Sequence, residues 1–183
     1  LSALFEKAFI KGLHYPNERP SANEWEVALV KTVDLIQPCT NKNCAQKWYV
    51  FDNTTNPACP FCNTAFVGKL PILNLYSSRT VGSFKPDNHR LMVWTGQSLY
   101  LWHSNSLVAP NEKLNAAQKR RVGYFVFHNK QWLLVNEGLP DLMDASEKKS
   151  IPIGSSVELL DGKQLLLDKQ QGGRLVVVQM VSV

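Results

Sequence analysis

The chain has 183 residues, of which 44% are hydrophobic and 19% charged, and a formal net charge of +5. This is the composition of an ordinary soluble protein, and no apolar run approaches the roughly 18 to 20 residues that a membrane-spanning helix needs. The expectation is a soluble, cytoplasmic protein with no membrane partner. Four cysteines gathered near one third of the length favour several small modules over a single core. The chain begins at Leu1 directly in a helical pattern, and so reads as a piece of something longer.

The charge is uneven. Residues 1–36 carry four basic and five acidic side chains, residues 37–68 two and one, and residues 69–183 fourteen and nine. The one basic cluster, Lys119-Arg120-Arg121, could meet nucleic acid or phosphate, but three charges in a turn more often make a solvated loop.

Leu1, Leu4, Phe5, Ala8, Phe9 and Leu13 recur at helical spacing, with Gly12 near the end, where a left-handed cap is tolerated. After a Pro-containing loop, Ser21 followed by Glu24 forms a capping box. Trp25, Ala28, Leu29, Thr32, Val33 and Ile36 then mark the apolar stripe of a second helix that stops before Pro38. Residues 1–36 therefore read as a helical hairpin, too small for a core of its own. Phe5-Glu6-Lys7-Ala8-Phe9, Gly12 and Arg19-Pro20-Ser21-Ala22-x-Glu24-Trp25 resemble the last two helices of the C-lobe of eukaryotic-type Ser/Thr protein kinases. In that family the arginine matching Arg19 pairs with a glutamate of the activation segment, which has no counterpart in this sequence. Nothing here matches the nucleotide lysine, the catalytic aspartate or the metal-binding aspartate, so the resemblance implies a non-catalytic region whose parent is a kinase.

In residues 37–68, Cys39-x4-Cys44 and Cys59-Pro60-Phe61-Cys62 flank an aromatic stretch, Trp48-Tyr49-Val50-Phe51. Two tight loops bringing four thiolates together suit one tetrahedral Zn²⁺ with Cys39, Cys44, Cys59 and Cys62 as ligands. Two disulfides are the alternative, and they require an oxidising compartment. Four sulfur ligands leave no open position, so the metal would be structural. The expected element is a zinc ribbon, with 48–51 as one strand, a turn at Asp52, Asn53 and Thr54, and 62–66 as the return. Trp48 and Phe61 could stack on bases, although packing over the metal loops is the commoner use of such rings. A four-cysteine ribbon directly after a kinase-like final helix resembles a group of bacterial Ser/Thr kinases with a zinc-binding tail. These are associated with tellurium-resistance and stress operons that also encode a von Willebrand factor A domain protein and a metal-dependent protein phosphatase. The resemblance implies those two proteins as partners.

Residues 69–183 alternate short apolar runs with turn signals. The runs at 71–76, 90–94, 99–102, 124–127, 132–135, 157–160, 164–167 and 175–178 are candidate strands. Turns are expected at Gly96-Gln97, His128-Asn129-Lys130, Asp161-Gly162 and Gly172-Gly173. This pattern predicts a mainly antiparallel β-sandwich. The order Trp132-Leu133-Leu134-Val135-Asn136, Ile153-Gly154, Val157 and Leu165-Leu166-Leu167 is similar to the second half of forkhead-associated domains, which bind phosphothreonine peptides. Their phosphate-reading Gly-Arg pair and Ser-x-x-His loop do not stand at the corresponding positions; His103 and Asn136 follow strands at a different spacing, and His103 and His128 read as exposed turn histidines.

No Gly-x-Ser-x-Gly elbow, phosphate loop or His-Glu-x-x-His pair occurs, which leaves an enzyme in the β region as a minor reading. The overall expectation is an α+β multi-module chain: helical hairpin (1–36), zinc ribbon (37–68) and forkhead-associated-like β-sandwich (69–183). It would act as the docking and regulatory tail of a bacterial Ser/Thr kinase. A nucleic-acid-binding zinc-ribbon protein and a phosphothreonine-peptide module are the alternatives.

Overall fold

Helix α1 (Ser2–Phe9) ends where the Ile10 N–H returns to the Glu6 carbonyl, and a 3₁₀ turn, Lys11–Leu13, follows. The computed structural model describes residues 1–51 and 57–182. At the end of this first helical segment the chain passes very close to Arg19: a Cβ on Gly12 would lie 2.6 Å from Arg19 Cγ and 2.8 Å from the Lys7 carbonyl oxygen. Glycine allows that approach, and Arg19 Nε donates to the Gly12 carbonyl at 2.8 Å, satisfying an acceptor at the helix end. Ser21 then opens α2 (Ala22–Val33) with the capping box that the sequence predicts: Glu24 N–H donates to Ser21 Oγ, and Ser21 N–H to Glu24 Oε2 at 2.7 Å. The hairpin is closed by Lys7 to Glu24 at 2.8 Å and by Phe5 edge-on to Trp25 at 5.0 Å.

The second helix stops at Asp34, short of Ile36. Ile36 instead begins strand β1 (Ile36–Pro38), which pairs antiparallel with β2 (Trp48–Val50) in a two-stranded sheet. The aromatic strand therefore pairs with the segment leaving α2 and not with the 62–66 return. Among the described residues, the only β-bridge to that return is Ala58 to Ala65. The second cysteine loop closes on itself, with Cys59 N–H donating to Thr64 O and Asn63 N–H to Cys59 O, so its backbone groups are already satisfied locally. The expected turn at Asp52, Asn53 and Thr54 lies outside the described residues.

Two antiparallel sheets follow. One has β10 (Ser156–Glu158), β7 (Gln131–Asn136), β6 (Arg121–His128) and β5 (Ser98–Tyr100) in that order. The other has β4 (Ser83–Met92), β3 (Lys69–Thr80), β12 (Arg174–Ser182), β11 (Gln164–Leu166), β8 (Met143–Asp144) and β9 (Lys149–Ser150). Leu73, Leu91, Val176 and Val178 from the six-stranded sheet share one buried cluster with Leu99, Phe125, Trp132 and Leu134 from the four-stranded one. Every strand expected in this region coincides with an observed one, with three differences. β4 starts at Ser83, because Pro86, Asp87 and Asn88 hide its period and coincide with a register shift. Leu101 and Trp102 belong to a short helix, α3 (Leu101–Ser104). β8 and β9 have two residues each, too few to show alternation. The β6 to β7 turn places Asn129 and Lys130 at φ 48° and 65°, the left-handed pair that matches the right-handed strand twist in two-residue hairpins.

β3 is buried on both faces in its first half, and this joins the modules. Leu73 and Leu75 enter the sandwich core. Leu70 and Ile72, one step out of phase, point to the other face and join Met92, Val181, Tyr49, Phe51, Cys44 and Cys59 in a second cluster. The four-cysteine unit is thus roofed by the outer face of the six-stranded sheet.

Candidate functional site

The loops after β1 and before β3 bring Cys39, Cys44, Cys59 and Cys62 together, with all four Sγ atoms within 4.8 Å of one another. Cys39 to Cys62 is 3.5 Å and Cys44 to Cys59 is 3.9 Å. A disulfide needs about 2.05 Å, and all four cysteines are free. A tetrahedron of sulfurs at ~2.3 Å from a central ion has edges of roughly 3.8 Å, so the donor set fits a thiophilic, four-coordinate metal ion. The sites are locally ordered: Cys39 N–H donates to Lys47 O, Cys44 N–H to Asn41 O and Cys59 N–H to Thr64 O. The thiols are not equivalent. The Thr64 hydroxyl, 3.3 Å from Cys62 Sγ, and the Thr64 backbone bring Cys62 down to about 6, whereas burial pushes Cys39 up to about 12. Burial first, then the nearby thiolates, also raise Tyr49 to about 12. Four thiolates this close repel one another, and a bound dication is what would let all of them ionise.

A second cluster was not anticipated. Asp34, His89 and His103 are 4%, 7% and 2% exposed. Asp34 sits at the C-cap of α2, His89 on β4 and His103 in α3. His103 Nδ1 accepts from the Tyr100 N–H at 3.1 Å, which leaves Nε2 as the protonated nitrogen that donates to Asp34 Oδ1 at 3.2 Å. His89 Nε2 lies 2.6 Å from Asp34 Oδ2. Burial alone would raise the Asp34 carboxyl, but the bonds from His103 and His89 outweigh it and hold it down at about 2. One carboxylate thus ties three elements together, and the Asp34 carbonyl adds a fourth contact by accepting from Met92 N–H at 2.8 Å. Far from being an exposed turn residue, His103 is among the most buried polar groups; His128 is exposed at the end of β6. The sequence did hold one signal. A carboxylate in the last turn of a helix is disfavoured by the helix dipole by about 0.3–1 kcal/mol, a weak cue that Asp34 is held by a partner elsewhere.

The other singled-out residues are placed as follows. Arg121 pairs with Glu137 at 2.6 Å and lies 4.7 Å over the Tyr124 ring, and Lys119 donates to the Glu112 carbonyl. Asn136 is fully buried and uses its amide on the Leu139 and Ile151 carbonyls and the Leu139 N–H. It fastens the loop after β7. Trp48 stands edge-on to Trp94 at 5.0 Å, while Phe61 is exposed.

No family model, curated protein or solved structure matches the chain. Among the described residues no helix is long and apolar enough to cross a membrane.

Proposed function

We propose that the chain is a docking module, the non-catalytic C-terminal regulatory region of a bacterial Ser/Thr kinase. In this reading the cysteine group holds one structural Zn²⁺ and the sandwich is of the forkhead-associated kind. The observation that carries a binding role is the exposure of large apolar side chains on the helical hairpin. No residue of α1 or α2 is buried, and Phe5, Phe9, Leu29 and Val33 are all at least half exposed. Contiguous apolar surface of this kind marks a protein interaction site.

The partner we propose is a von Willebrand factor A domain protein, with a metal-dependent protein phosphatase as a further member of the assembly. Contact runs through the zinc module and the β region, with the exposed apolar face of the hairpin beside them, and does not require phosphothreonine. The engagement of Asn136 by its own loop supports that last point, since its fully buried amide is spent on the Leu139 and Ile151 backbone. The Glu137 carboxylate beside Arg121 lowers the local positive charge of the Lys119 to Arg121 cluster, which weighs modestly against a nucleic-acid surface there. Co-elution of the chain with such a protein at tens of micromolar, about the weak end of a specific transient interface, tests the reading. Failure to co-elute removes the partner, and co-elution only after phosphorylation removes the mechanism.

A further inference from the structure

Between α2 and the β5 to α3 edge of the sandwich runs a groove of about 830 Å³. Trp25 and Leu29 form one wall, and Trp94, Tyr100 and Trp102 the other. The Tyr100 and Trp102 rings are stacked, 4.4 Å apart and 12° from parallel, so together they present a single π surface. Groove size and aromatic lining fall in the range of ligand sites.

The charges decide what fits. The chain carries 20 lysines and arginines against 15 acids, yet among the described residues the only charged side chains lining this groove are carboxylates, Glu26 at the rim and Asp34 at the floor. The Asp34 carboxylate faces His103 and His89; Glu26 is exposed on α2. Aromatic faces attract cations through the ring quadrupole, more strongly where water is excluded. Asp34 spends both oxygens on the histidines, so Glu26 is the open carboxylate; Lys31 and Arg174 line the adjoining pocket but are directed to the Asp87 and Asn88 carbonyls and to the Asp87 carboxylate. A surface combining such faces with the Glu26 carboxylate is complementary to a cation carried on an apolar body.

We infer that this groove takes a segment of a partner protein that presents a lysine or arginine flanked by apolar side chains. The cation lies against Trp25, Tyr100 and Trp102 within reach of Glu26, and the flanking apolar groups cover Leu29 and Val33. The inference rests on the docking reading above and names the surface and the chemistry it uses. The far side of Trp94 packs against Trp48 of the four-cysteine unit, so the groove wall and the metal module are in direct contact.

The test uses three labelled hexapeptides, Leu-Arg-Leu-Leu-Arg-Leu and its counterparts with glutamate or norleucine in place of arginine, titrated by fluorescence anisotropy against the whole chain, Glu26→Lys and Leu29→Glu. Both substituted positions are solvent-facing, and circular dichroism and metal content establish that the variants fold. The expected result is saturable binding of the arginine peptide alone, weakened about tenfold or more by each substitution. Equal affinity for the arginine and norleucine peptides, indifference to both substitutions, or no binding by ~1 mM overturns the inference. Co-elution of the two variants with the von Willebrand factor A domain protein separates the two proposals. If the unsubstituted chain co-elutes and the variants do so equally, the groove is wrong and docking stands; if nothing co-elutes, the partner is wrong and the peptide titration alone decides the groove.

Discussion

His89 Nε2 lies 2.6 Å from Asp34 Oδ2, a bond between the end of the helical hairpin and the second strand of the sandwich across 55 residues of sequence. Through it, and through His103 on the other oxygen, the hairpin and the β region share a buried charge whose loss neither side can compensate with water. Asp34→Ala leaves two buried imidazole N–H groups without an acceptor. It is expected to cost about 3 kcal/mol by urea unfolding, with Asp34→Asn costing somewhat less because the amide can still accept from one of them.

The same carboxylate sets a pH dependence. Its pKa is lowered from the ordinary 3.8 to about 2 in the folded chain. A depressed carboxyl contributes stability that is fully present above its unfolded value and is lost as pH falls through the folded one. Stability should therefore decline by roughly 2 kcal/mol between about pH 4 and pH 2, and this part of the decline should be missing in Asp34→Asn. Unfolding curves of both proteins across that range check it.

Cys59 is 1% exposed and packs with Leu70, Ile72, Met92 and Val181. Cys59→Ser is expected to abolish metal binding by the four-cysteine cluster and to lower the melting temperature of the whole chain, because the cysteine loops and the outer face of the six-stranded sheet share that apolar cluster. Elemental analysis and a thermal melt measure the two effects. A variant that loses metal while the sandwich melts unchanged would show that the two clusters are energetically separate.

Gly12→Ala places a methyl group 2.8 Å from the Lys7 carbonyl oxygen and 2.6 Å from Arg19 Cγ. Arg19 can shift, but the helix backbone cannot without losing the end of α1, so a cost of about 1 to 3 kcal/mol is expected. Far-UV circular dichroism should show it as lost helix. Arg19→Ala should weaken the same junction less, since water can replace its bond to the Gly12 carbonyl.

Much of the framework was already present in local sequence patterns. Ser21 and Glu24 announce the start of α2 because a capping box needs only residues three apart. Cys39, Cys44, Cys59 and Cys62 announce a four-thiol cluster able to hold a metal ion, because two short loops can deliver four sulfurs with little help from the rest of the chain. The long strands announce themselves by alternation, as Leu73, Leu75, Val176 and Val178 do for the sandwich interior. What stayed hidden depends on contacts between distant segments. That Ile36 ends in a strand paired with Val50, that the second face of β3 at Leu70 and Ile72 is covered by the cysteine unit, and that Asp34 meets His89 and His103 all follow from how separate elements pack. Period and spacing report only a residue's neighbours along the chain. The partner of a buried charge and the cover over a second apolar face are chosen in space, where burial makes an unmatched group costly, and only the tertiary structure decides them.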